Sequence, residues 1–227
     1  MTTTAETTPR YELVVLDLAG TTVVDDGLVE GAFARAWDRV KRTDEGRAAA
    51  LAHVRATMGQ SKIEVFRAIA DEETAQELNR AFERAIGELI DGGHCAAIPG
   101  AEDTIRALRD AGHKLAFTTG FASTTARAVV EAVGWDGLAD VVLTPADAGR
   151  GRPAPDLPLT ALIRTGAGSV ASMVVVGDTP ADAASGRAAG AGLVVGVLTG
   201  GETEESLRAA GADLVLASVA ELPEHLR

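Results

Sequence analysis

The sequence predicts an α/β protein in which a parallel sheet carries an inserted small α-helical domain. Short β-rich runs recur along the chain, and they are apolar throughout rather than alternating, as in strands buried on both faces of a parallel sheet. Helix-like segments lie between them, which is the pattern of repeated βαβ units. In chain order, the runs are YELVVLDL, KLAFTT, DVVLT, MVVVGD, LVVGV and DLVLA.

The helical segments indicate where the inserted domain lies. AEDTIRALRDAG, STTARAVVEAVG and TPADAASGRAAG each end at a glycine, which favours a helix C-terminus. The βαβ pattern breaks once, where only helical periodicity is found, in VEGAFARAWDRVK, SKIEVFRAIA and ETAQELNRAFERAIGELI. We therefore predict a core domain of residues 10–26 and 97–227 and a helical cap domain of residues 27–96.

The composition predicts a soluble globular protein without affinity for nucleic acid or membranes. Hydrophobic residues make up 46% of the chain, and the net charge of -12 gives no basic surface that could neutralise phosphates or anionic lipids. The leading segment MTTTAETTPR is polar and lacks the apolar stretch of a signal peptide. GAGLVVGVLTGG is too short and glycine-rich to span a bilayer. We therefore expect a cytoplasmic location.

Acidic residues follow the first and fourth predicted strands, at the edge of a parallel sheet where ligands bind. Asp17 follows YELVVL, and a carboxylate at this position can attack phosphorus or carbon to form a covalent aspartyl intermediate. Asp178 and Asp182 follow MVVVG, with Thr179 as expected N-cap and Pro180 at the first helical position. This spacing places Asp182 one turn into a helix, near Asp178. Together with Asp17, they supply the hard oxygen ligands that Mg²⁺ prefers.

Two further polar groups follow strands of the predicted sheet. The loop GRPAP presents Arg152 on a backbone that its prolines keep out of a helix. Thr119, after KLAFT, offers a hydroxyl group. Arg152 and Thr119 are therefore candidates to hold the oxygens of a transferring phosphoryl group, over which negative charge is spread in the transition state.

DLAGTT, FTTG, GRPAP and GDTPAD, in this order, resemble the four signature motifs of the haloacid dehalogenase (HAD) superfamily, and they span nearly the whole chain. The resemblance implies a Rossmann-like core with a helical cap that closes over the site. It also implies that Asp17 is the nucleophile and that Mg²⁺ is bound by Asp17, the Ala19 carbonyl and Asp178. Asp182 would support the metal through water or from beyond its direct ligands.

Ala19 departs from the pattern of most phosphatases of this superfamily. They carry at this position a second aspartate, which protonates the leaving group, and loss of such an acid can cost about 10²–10⁴-fold in rate. Ordinary phosphate ester hydrolysis is therefore disfavoured. The chain instead resembles the phosphonatase branch, the phosphonoacetaldehyde hydrolases, whose motif also carries alanine. The segment from Met58 to Ile63, MGQSKI, is similar to the phosphonatase cap motif around a lysine that forms a Schiff base with the substrate aldehyde.

Lys62, the lysine of this segment, and Ala19 make a chemically coherent pair. Carbon is a poor leaving group as a carbanion, but an iminium on the neighbouring carbon accepts the electrons as an enamine, so no proton from residue 19 is needed. Because Lys62 must be neutral to attack an aldehyde, we expect burial or nearby positive charge to lower its pKa. One position differs: phosphonatases usually carry a histidine three residues after the lysine, where this chain has Val65.

The predicted site residues form three groups. The catalytic group comprises Asp17, Lys62, Thr119 and Arg152. The substrate-binding group comprises Ala19, Gly20, Thr21, Met58, Gly59 and Gly120. The Mg²⁺-binding group comprises Asp17, Ala19, Asp178 and Asp182. Asp25 and Asp26, which follow the first motif, are interpreted as solvated hinge residues rather than ligands.

Three alternatives to the phosphonatase hypothesis stay open. The chain could be a phosphatase of a small phosphomonoester, with water or a cap residue in place of the missing acid. It could be a 2-haloacid dehalogenase, although such enzymes need no Mg²⁺ and the GDTPAD segment is typical of a metal site. It could also be a binding protein on the same fold, without activity. The expected partner is a small phosphorylated or phosphonate compound, and the resemblance to phosphonatases suggests a homodimer joined through the caps.

Overall fold

The computed structural model describes residues 10–226. Most of the leading segment, whose composition argued against a signal peptide, lies outside the described residues, as does the last residue of the predicted core domain. Six strands form one parallel sheet in the order β3-β2-β1-β4-β5-β6. They are β1 Leu13–Asp17, β2 Lys114–Thr118, β3 Val141–Leu143, β4 Met173–Gly177, β5 Leu193–Val197 and β6 Leu214–Leu216. All six apolar runs are therefore confirmed as strands, and the predicted α/β fold class is confirmed.

Strand β1 lies at the centre of the sheet and is buried on both faces. Val14 and Leu16 belong to an apolar cluster on one face, whereas Leu13 and Val15 belong to a second cluster on the other face. Successive side chains of a strand point to opposite faces, so an uninterrupted apolar run is what burial on two sides requires. The chain runs outward from β1 through β2 to β3, and from β4 through β5 to β6 on the other side. The strand order therefore reverses between β1 and β4, where open α/β sheets bind ligands.

Seven helices pack around the sheet within the described residues. The three predicted core helices are confirmed as α5 Ala101–Asp110, α6 Ser123–Ala132 and α9 Pro180–Ala189. Four more were not predicted: α7 Pro145–Ala148, α8 Asp156–Thr165, α10 Glu204–Ala209 and α11 Leu222–His225. Among residues 10–226, no helix is both long and apolar enough to cross a membrane.

Four helices follow β1 and precede α5, and we call them the inserted helices. They are α1 Leu28–Val40, α2 Arg47–Ala56, α3 Lys62–Arg67 and α4 Glu72–Asp91. Helix α2 was not predicted, because only Ala50 and Val54 of its residues are buried and its sequence shows little apolar periodicity. The other three match the predicted segments to within a few residues at their ends.

A row of aromatic rings joins the inserted helices to the sheet. Phe33 of α1 stacks on Phe66 of α3 at 6.5 Å, and Phe66 lies 5.8 Å from Phe82 of α4. Phe82 in turn lies 6.4 Å from Phe121, which follows β2. The apolar core of the inserted helices is therefore continuous with the core on one face of the sheet. The division into a core of residues 10–26 and 97–227 and a cap of residues 27–96 stays a prediction.

Candidate active site

The carboxyl ends of β1, β2 and β4 meet at one edge of the sheet, beneath the inserted helices. A cavity of about 70 Å³ opens there. Most of the predicted site residues line it, namely Asp17, Ala19, Met58, Gly59, Lys62, Thr119, Gly120, Arg152 and Asp178. The structure therefore brings together residues that are far apart in the sequence. Asp25, Val29, Phe121, Thr179, Gly200 and Glu202 complete the lining.

Gly20 and Thr21 do not line this cavity, and their contact with substrate stays a prediction. Thr21 donates a hydrogen bond from Oγ1 to Oδ1 of Asp178 at 2.7 Å. Gly20 has φ of +89°, and a Cβ atom at this position would overlap the Asp178 carboxylate. A residue with a side chain would therefore be strained and would displace the carboxylate. Thr21 therefore holds Asp178 in position, and Gly20 leaves room for its carboxylate.

Arg152 is buried and joins the nucleophile candidate to two other elements. Its Nη1 lies 2.7 Å from Oδ1 of Asp17, and its Nε lies 2.7 Å from Oδ1 of Asp182. Its Nη2 donates a hydrogen bond to Oγ1 of Thr118 at 2.6 Å, and Nη1 donates a longer one to the Gly59 carbonyl at 3.3 Å. The guanidinium therefore orients the Asp17 carboxylate and contacts the segment before α3.

Thr118 also belongs to the site, and its role does not follow from its place after KLAF beside Thr119. It is the last residue of β2, and the strand register places it beside Asp17 on β1. Its hydroxyl oxygen accepts the hydrogen bond that fixes one end of Arg152. The neighbouring Thr119 lines the cavity, and its Oγ1 accepts a hydrogen bond from the Phe121 amide at 3.2 Å. The paired threonines of FTTG were the available signal, but only the strand register assigns one of them to Arg152.

Asp17 and Asp178 are two buried carboxylates whose charged forms are disfavoured by burial and by neighbouring carboxylates. Burial raises the pKa of Asp17 to about 7, although the neighbouring guanidinium of Arg152 opposes the increase. Burial, together with the negative charges of Asp17 and Asp182, raises the pKa of Asp178 well above its usual range. A cation beside the two carboxylates would relieve this repulsion.

The donor set at this edge fits Mg²⁺. The described residues contain no group of three or more His, Cys, Asp or Glu side chains arranged to hold a metal. Mg²⁺ does not need one, because it is commonly held by one or two carboxylates and keeps several water molecules. Asp17 and Asp178 supply two carboxylates, and the Ala19 carbonyl accepts no hydrogen bond from residues 10–226. A side chain at Gly200 would overlap Asp178, so glycine leaves room beside this carboxylate.

Asp182 is the third residue of α9, and both of its carboxylate oxygens are engaged. Oδ2 accepts hydrogen bonds from the amide, at 3.1 Å, and from the hydroxyl of Thr179, while Oδ1 pairs with Arg152. Thr179 is the N-cap and Pro180 follows at the first helical position, as the sequence predicted. Asp182 does not line the cavity. The cation beside it is the guanidinium of Arg152, and its support of a metal stays a prediction.

Lys62 is a buried lysine at the first position of α3. Its Nζ donates a long hydrogen bond of 3.4 Å to the Gln60 carbonyl and lies 5.8 Å from the centre of the Phe121 ring. Burial lowers the pKa of Lys62, although the negative charges of Asp25 and Asp17 oppose the decrease. The predicted direction of this shift is therefore confirmed.

Glycine residues bring the segment before Lys62 close to the sheet. Gly59 has φ of +79°, and a Cβ atom there would overlap the Thr179 hydroxyl. A Cβ atom on Gly120 would overlap the Gln60 carbonyl. The Lys62 amide donates a hydrogen bond to the Gly120 carbonyl at 3.3 Å. The lysine therefore reaches the site through close backbone contacts that side chains would prevent.

Comparison with known proteins assigns the family. A family model described as haloacid dehalogenase-like hydrolase matches residues 11–190. The chain belongs to this family. The phosphonoacetaldehyde hydrolase of Bacillus cereus is 30% identical over 164 residues, which are 68% of this chain and 62% of that protein. The chain therefore spans less than two thirds of the length of this relative.

Two other relatives of this HAD chain match over more of their length. The probable phosphatase IndB of Dickeya dadantii is 28% identical over 215 residues, covering 92% of this chain and 91% of that protein. A crystal structure described as a phosphonoacetaldehyde hydrolase-like protein from Oleispira antarctica has a TM-score of 0.82 and 22% identity, covering 100% of this chain and 95% of that chain. At this identity, the crystal structure supports the fold alone.

The structure shows which of three further positions, Ala19, Val65 and Asp25, line the cavity. Ala19 lines the cavity and carries no group that could transfer a proton. Val65 is buried in the apolar core and does not line the cavity. Asp25 was interpreted as a solvated hinge residue, and this is wrong because its side chain is partly buried and lines the cavity. Asp26, its neighbour, is exposed as predicted.

Proposed function

We propose that the chain is an Mg²⁺-dependent hydrolase that cleaves the carbon-phosphorus bond of phosphonoacetaldehyde or a closely related phosphonate aldehyde. Asp17 would be the nucleophile, and Lys62 would form a Schiff base with the substrate aldehyde. The observation that carries the proposal is the placement of a buried lysine and a buried aspartate in the wall of one small cavity. Ala19 lines the same cavity where a phosphatase would need an acid.

Lys62 prepares the carbon for bond cleavage. Its neutral amine attacks the aldehyde carbon, and loss of water gives an iminium. Because burial lowers the pKa of Lys62, a larger fraction of the amine is neutral near pH 7 than for an exposed lysine. The iminium then accepts the electron pair of the carbon-phosphorus bond and becomes an enamine. After protonation of the enamine carbon, hydrolysis of the iminium releases acetaldehyde and restores the amine.

Asp17 receives the phosphoryl group. Arg152 holds Oδ1 of its carboxylate, so the other oxygen is the one that attacks phosphorus while the carbon-phosphorus bond breaks. Water then hydrolyses the aspartyl phosphate, which restores the carboxylate and releases phosphate. Thr119 and the backbone of Gly120 lie in the cavity wall, where they can bind phosphoryl oxygens.

Mg²⁺ would be held by Asp17, the Ala19 carbonyl and Asp178. Asp182, which is paired with Arg152, would support the cation without binding it directly. When bound, the cation neutralises negative charge on the carboxylates and on the phosphoryl oxygens. In its absence, the two raised pKa values favour protonated acids, and a protonated Asp17 is a poor nucleophile. The cytoplasmic location and the homodimer joined through the caps stay predictions.

A phosphatase of a small phosphomonoester is the second candidate. Val65 favours it, because a buried valine supplies no proton beside the lysine. The match to the probable phosphatase of Dickeya dadantii, which covers nearly all of both chains, also favours it. The two candidates differ in their need for Lys62, because the hydrolysis of an ester forms no Schiff base.

Phosphate release from phosphonoacetaldehyde with Mg²⁺ tests the proposal. We expect the unchanged chain to release phosphate, and we expect Asp17→Ala and Lys62→Ala each to lower kcat by about 10⁴-fold or more, because each removes a group that bonds to the substrate. Asp26→Asn, at an exposed position nearby, serves as the control and should retain full activity. Full activity of Lys62→Ala would contradict the Schiff base, and turnover of a phosphomonoester by that variant would favour the phosphatase.

A further inference from the structure

Asp25 is a cavity carboxylate that the proposed steps leave without a role. It precedes α1, and its Oδ1 accepts a hydrogen bond from the Val29 amide at 3.1 Å. This bond ties the carboxylate to the first turn of α1, in the wall that also contains Lys62. One carboxylate oxygen is therefore held by the first turn of α1.

The other carboxylates near Lys62 are engaged elsewhere. Glu83 of α4 accepts hydrogen bonds from the Ala122 amide, at 3.4 Å, and from the Thr125 hydroxyl. It lines a neighbouring cavity of about 310 Å³, which Lys62 also lines, and does not line the cavity that contains Asp17. Asp17 is paired with Arg152 and serves as the nucleophile. Asp25 is the carboxylate with the largest electrostatic effect on Lys62.

The surroundings of Asp25 raise its pKa, which makes its carboxyl group better able to exchange a proton. Burial raises its pKa, while the hydrogen bond from Val29 and the positive charge of Lys62 oppose the increase. Glu30 is the other charged group that acts on it, and its negative charge also raises the pKa of Asp25. An acid whose pKa lies nearer to neutrality is a more effective proton carrier at neutral pH.

We propose that Asp25 is the acid and base for the Schiff base on Lys62. The proposal rests on the proposed function, because it assigns the proton transfers that imine chemistry at Lys62 requires. Ala19 and Val65, at the two positions that could otherwise have carried a proton, have hydrocarbon side chains. Asp25 is held in the same cavity wall as the amine that needs the proton carrier.

The proton balance closes over one catalytic cycle. Attack of the neutral Lys62 amine on the aldehyde forms a carbon-nitrogen bond and, after proton transfer from nitrogen to oxygen, a carbinolamine. Asp25 then gives its proton to the hydroxyl group, which leaves as water as the carbon-oxygen bond breaks, and the iminium and the Asp25 carboxylate remain. After phosphoryl transfer, a proton from solvent adds to the enamine carbon, and hydrolysis of the aspartyl phosphate by water returns a proton to solvent. A second water attacks the product iminium, and the Asp25 carboxylate takes a proton from this water and returns to its acid form. The resulting carbinolamine transfers its hydroxyl proton to nitrogen and releases acetaldehyde and the neutral amine.

Trapping of the imine by borohydride tests the role of Asp25 apart from phosphoryl transfer. Asp25→Asn keeps an oxygen that can accept the Val29 hydrogen bond but removes the exchangeable acid, and Asp26→Asn makes the same charge change at an exposed neighbour. We expect Asp25→Asn to slow adduct formation on Lys62 and to lower kcat, each by about 10²-fold or more, and Asp26→Asn to do neither.

A purely electrostatic role of Asp25 predicts the opposite result. The negative charge of Asp25 raises the pKa of Lys62, so its removal would lower that pKa and leave more of the amine neutral. Adduct formation at neutral pH would then be as fast as in the unchanged chain, or faster. Either result would overturn the proposal.

Asp25→Ala gives a second test that does not depend on the asparagine variant. The deleted carboxylate leaves space in the cavity wall, and added formate should restore adduct formation in a concentration-dependent manner if Asp25 carries protons. Failure of formate to restore it in a folded Asp25→Ala protein, as judged by thermal unfolding, would count against the proposal. If the unchanged chain forms no adduct on Lys62, the proposed function fails and this inference fails with it. If the unchanged chain forms the adduct and the Asp25 variants form it equally fast, the role of Asp25 is wrong and the proposed function is unaffected.

Discussion

The sheet side and the helical side of the cavity are held in place in different ways. Asp17 ends a strand that is hydrogen-bonded to a neighbour on each side, and Asp178 directly follows one of those neighbours. Lys62 and Asp25 reach the same cavity from the ends of α3 and α1. Close backbone contacts at Gly59 and Gly120, rather than a strand ladder, bring the segment before Lys62 to the sheet.

The two sides of the cavity also differ in their proposed roles: the sheet side carries out phosphoryl transfer, and the helical side selects the substrate. The sheet side presents a nucleophile, a guanidinium and a set of oxygen ligands, and these serve phosphoryl transfer from many kinds of leaving group. The helical side presents an amine and a carboxyl group, and the roles proposed for them require a substrate with a carbonyl group. A change on the sheet side should therefore affect every substrate, whereas a change on the helical side should affect phosphonate aldehydes most.

Replacement of Arg152 should have the largest effect, because this residue contacts both sides. Arg152→Ala would leave Asp17 and Asp182 buried without their partner, and we expect it to lower the free energy of unfolding by about 3–5 kcal/mol. Urea unfolding measures this loss. Arg150→Ala is the control, because Arg150 pairs with Asp156 at the surface and should contribute at most about 1 kcal/mol. Equal losses in the two variants would contradict a bridging role of Arg152.

Mg²⁺ binding should depend on pH through the two carboxylates. Because the pKa of Asp17 is raised from 3.8 to about 7 by folding, its ionised form is disfavoured in the metal-free fold. This group therefore lowers the stability of the metal-free chain progressively as pH rises from 3.8 to about 7, with no further change above that range. Mg²⁺ must displace the proton, so its affinity should increase with pH across the same range.

Thermal unfolding with and without Mg²⁺ measures this dependence. At a concentration of about 100 times Kd, the cation should stabilise the fold by about 2.7 kcal/mol. For a chain of this size, that corresponds to an increase in Tm of several degrees, on the order of 5–10 °C. The increase should be larger at about pH 8 than at about pH 5, and Asp178→Asn should abolish it. An increase that is the same at both pH values, or that survives Asp178→Asn, would place the cation elsewhere.

The sequence predicted the sheet side better than the helical side, for physical reasons. The positions of Asp17 and Asp178 at strand ends and the N-cap of α9 follow from local rules, because strand ends and capping residues are set by nearby sequence. The role of Thr118 could not be predicted, because its contact with Arg152 depends on the register between strands that are distant along the chain. The sequence also does not show that Gly20 and Thr21 lie against Asp178.

The place of Asp25 in the cavity wall could not be predicted from the sequence. Two adjacent aspartates after the first motif favour a solvated hinge, and Asp26 is exposed. Asp25 instead accepts a hydrogen bond from the Val29 amide and lines the cavity, and that contact depends on where α1 begins and on how the inserted helices pack over the sheet. Lys62 could be predicted from a short motif, but its burial could be established only in the structure.

Glu83→Gln should have the smallest effect of these changes. Glu83 joins α4 to the N-terminal end of α6 through its hydrogen bonds to Ala122 and Thr125. We expect the variant to lose about 1 kcal/mol of stability, because the amide keeps one uncharged oxygen that can accept from Ala122, whereas its NH₂ group can only donate to the Thr125 hydroxyl. Chemical denaturation compares it with Glu77→Gln, an exposed glutamate on the same helix. Equal stability of the two variants would show that Glu83 does not hold α4 to α6.

Identification of the lysine that binds the aldehyde tests the central claim most directly. The chain contains three lysines, Lys41, Lys62 and Lys114. The protein would be incubated with phosphonoacetaldehyde and Mg²⁺, reduced with borohydride, digested, and mapped by mass spectrometry. We predict a reduced two-carbon adduct on Lys62 that requires substrate and is absent from Lys62→Arg. No adduct during active phosphate release, or an adduct on Lys41 or Lys114 instead, would contradict the Schiff-base account.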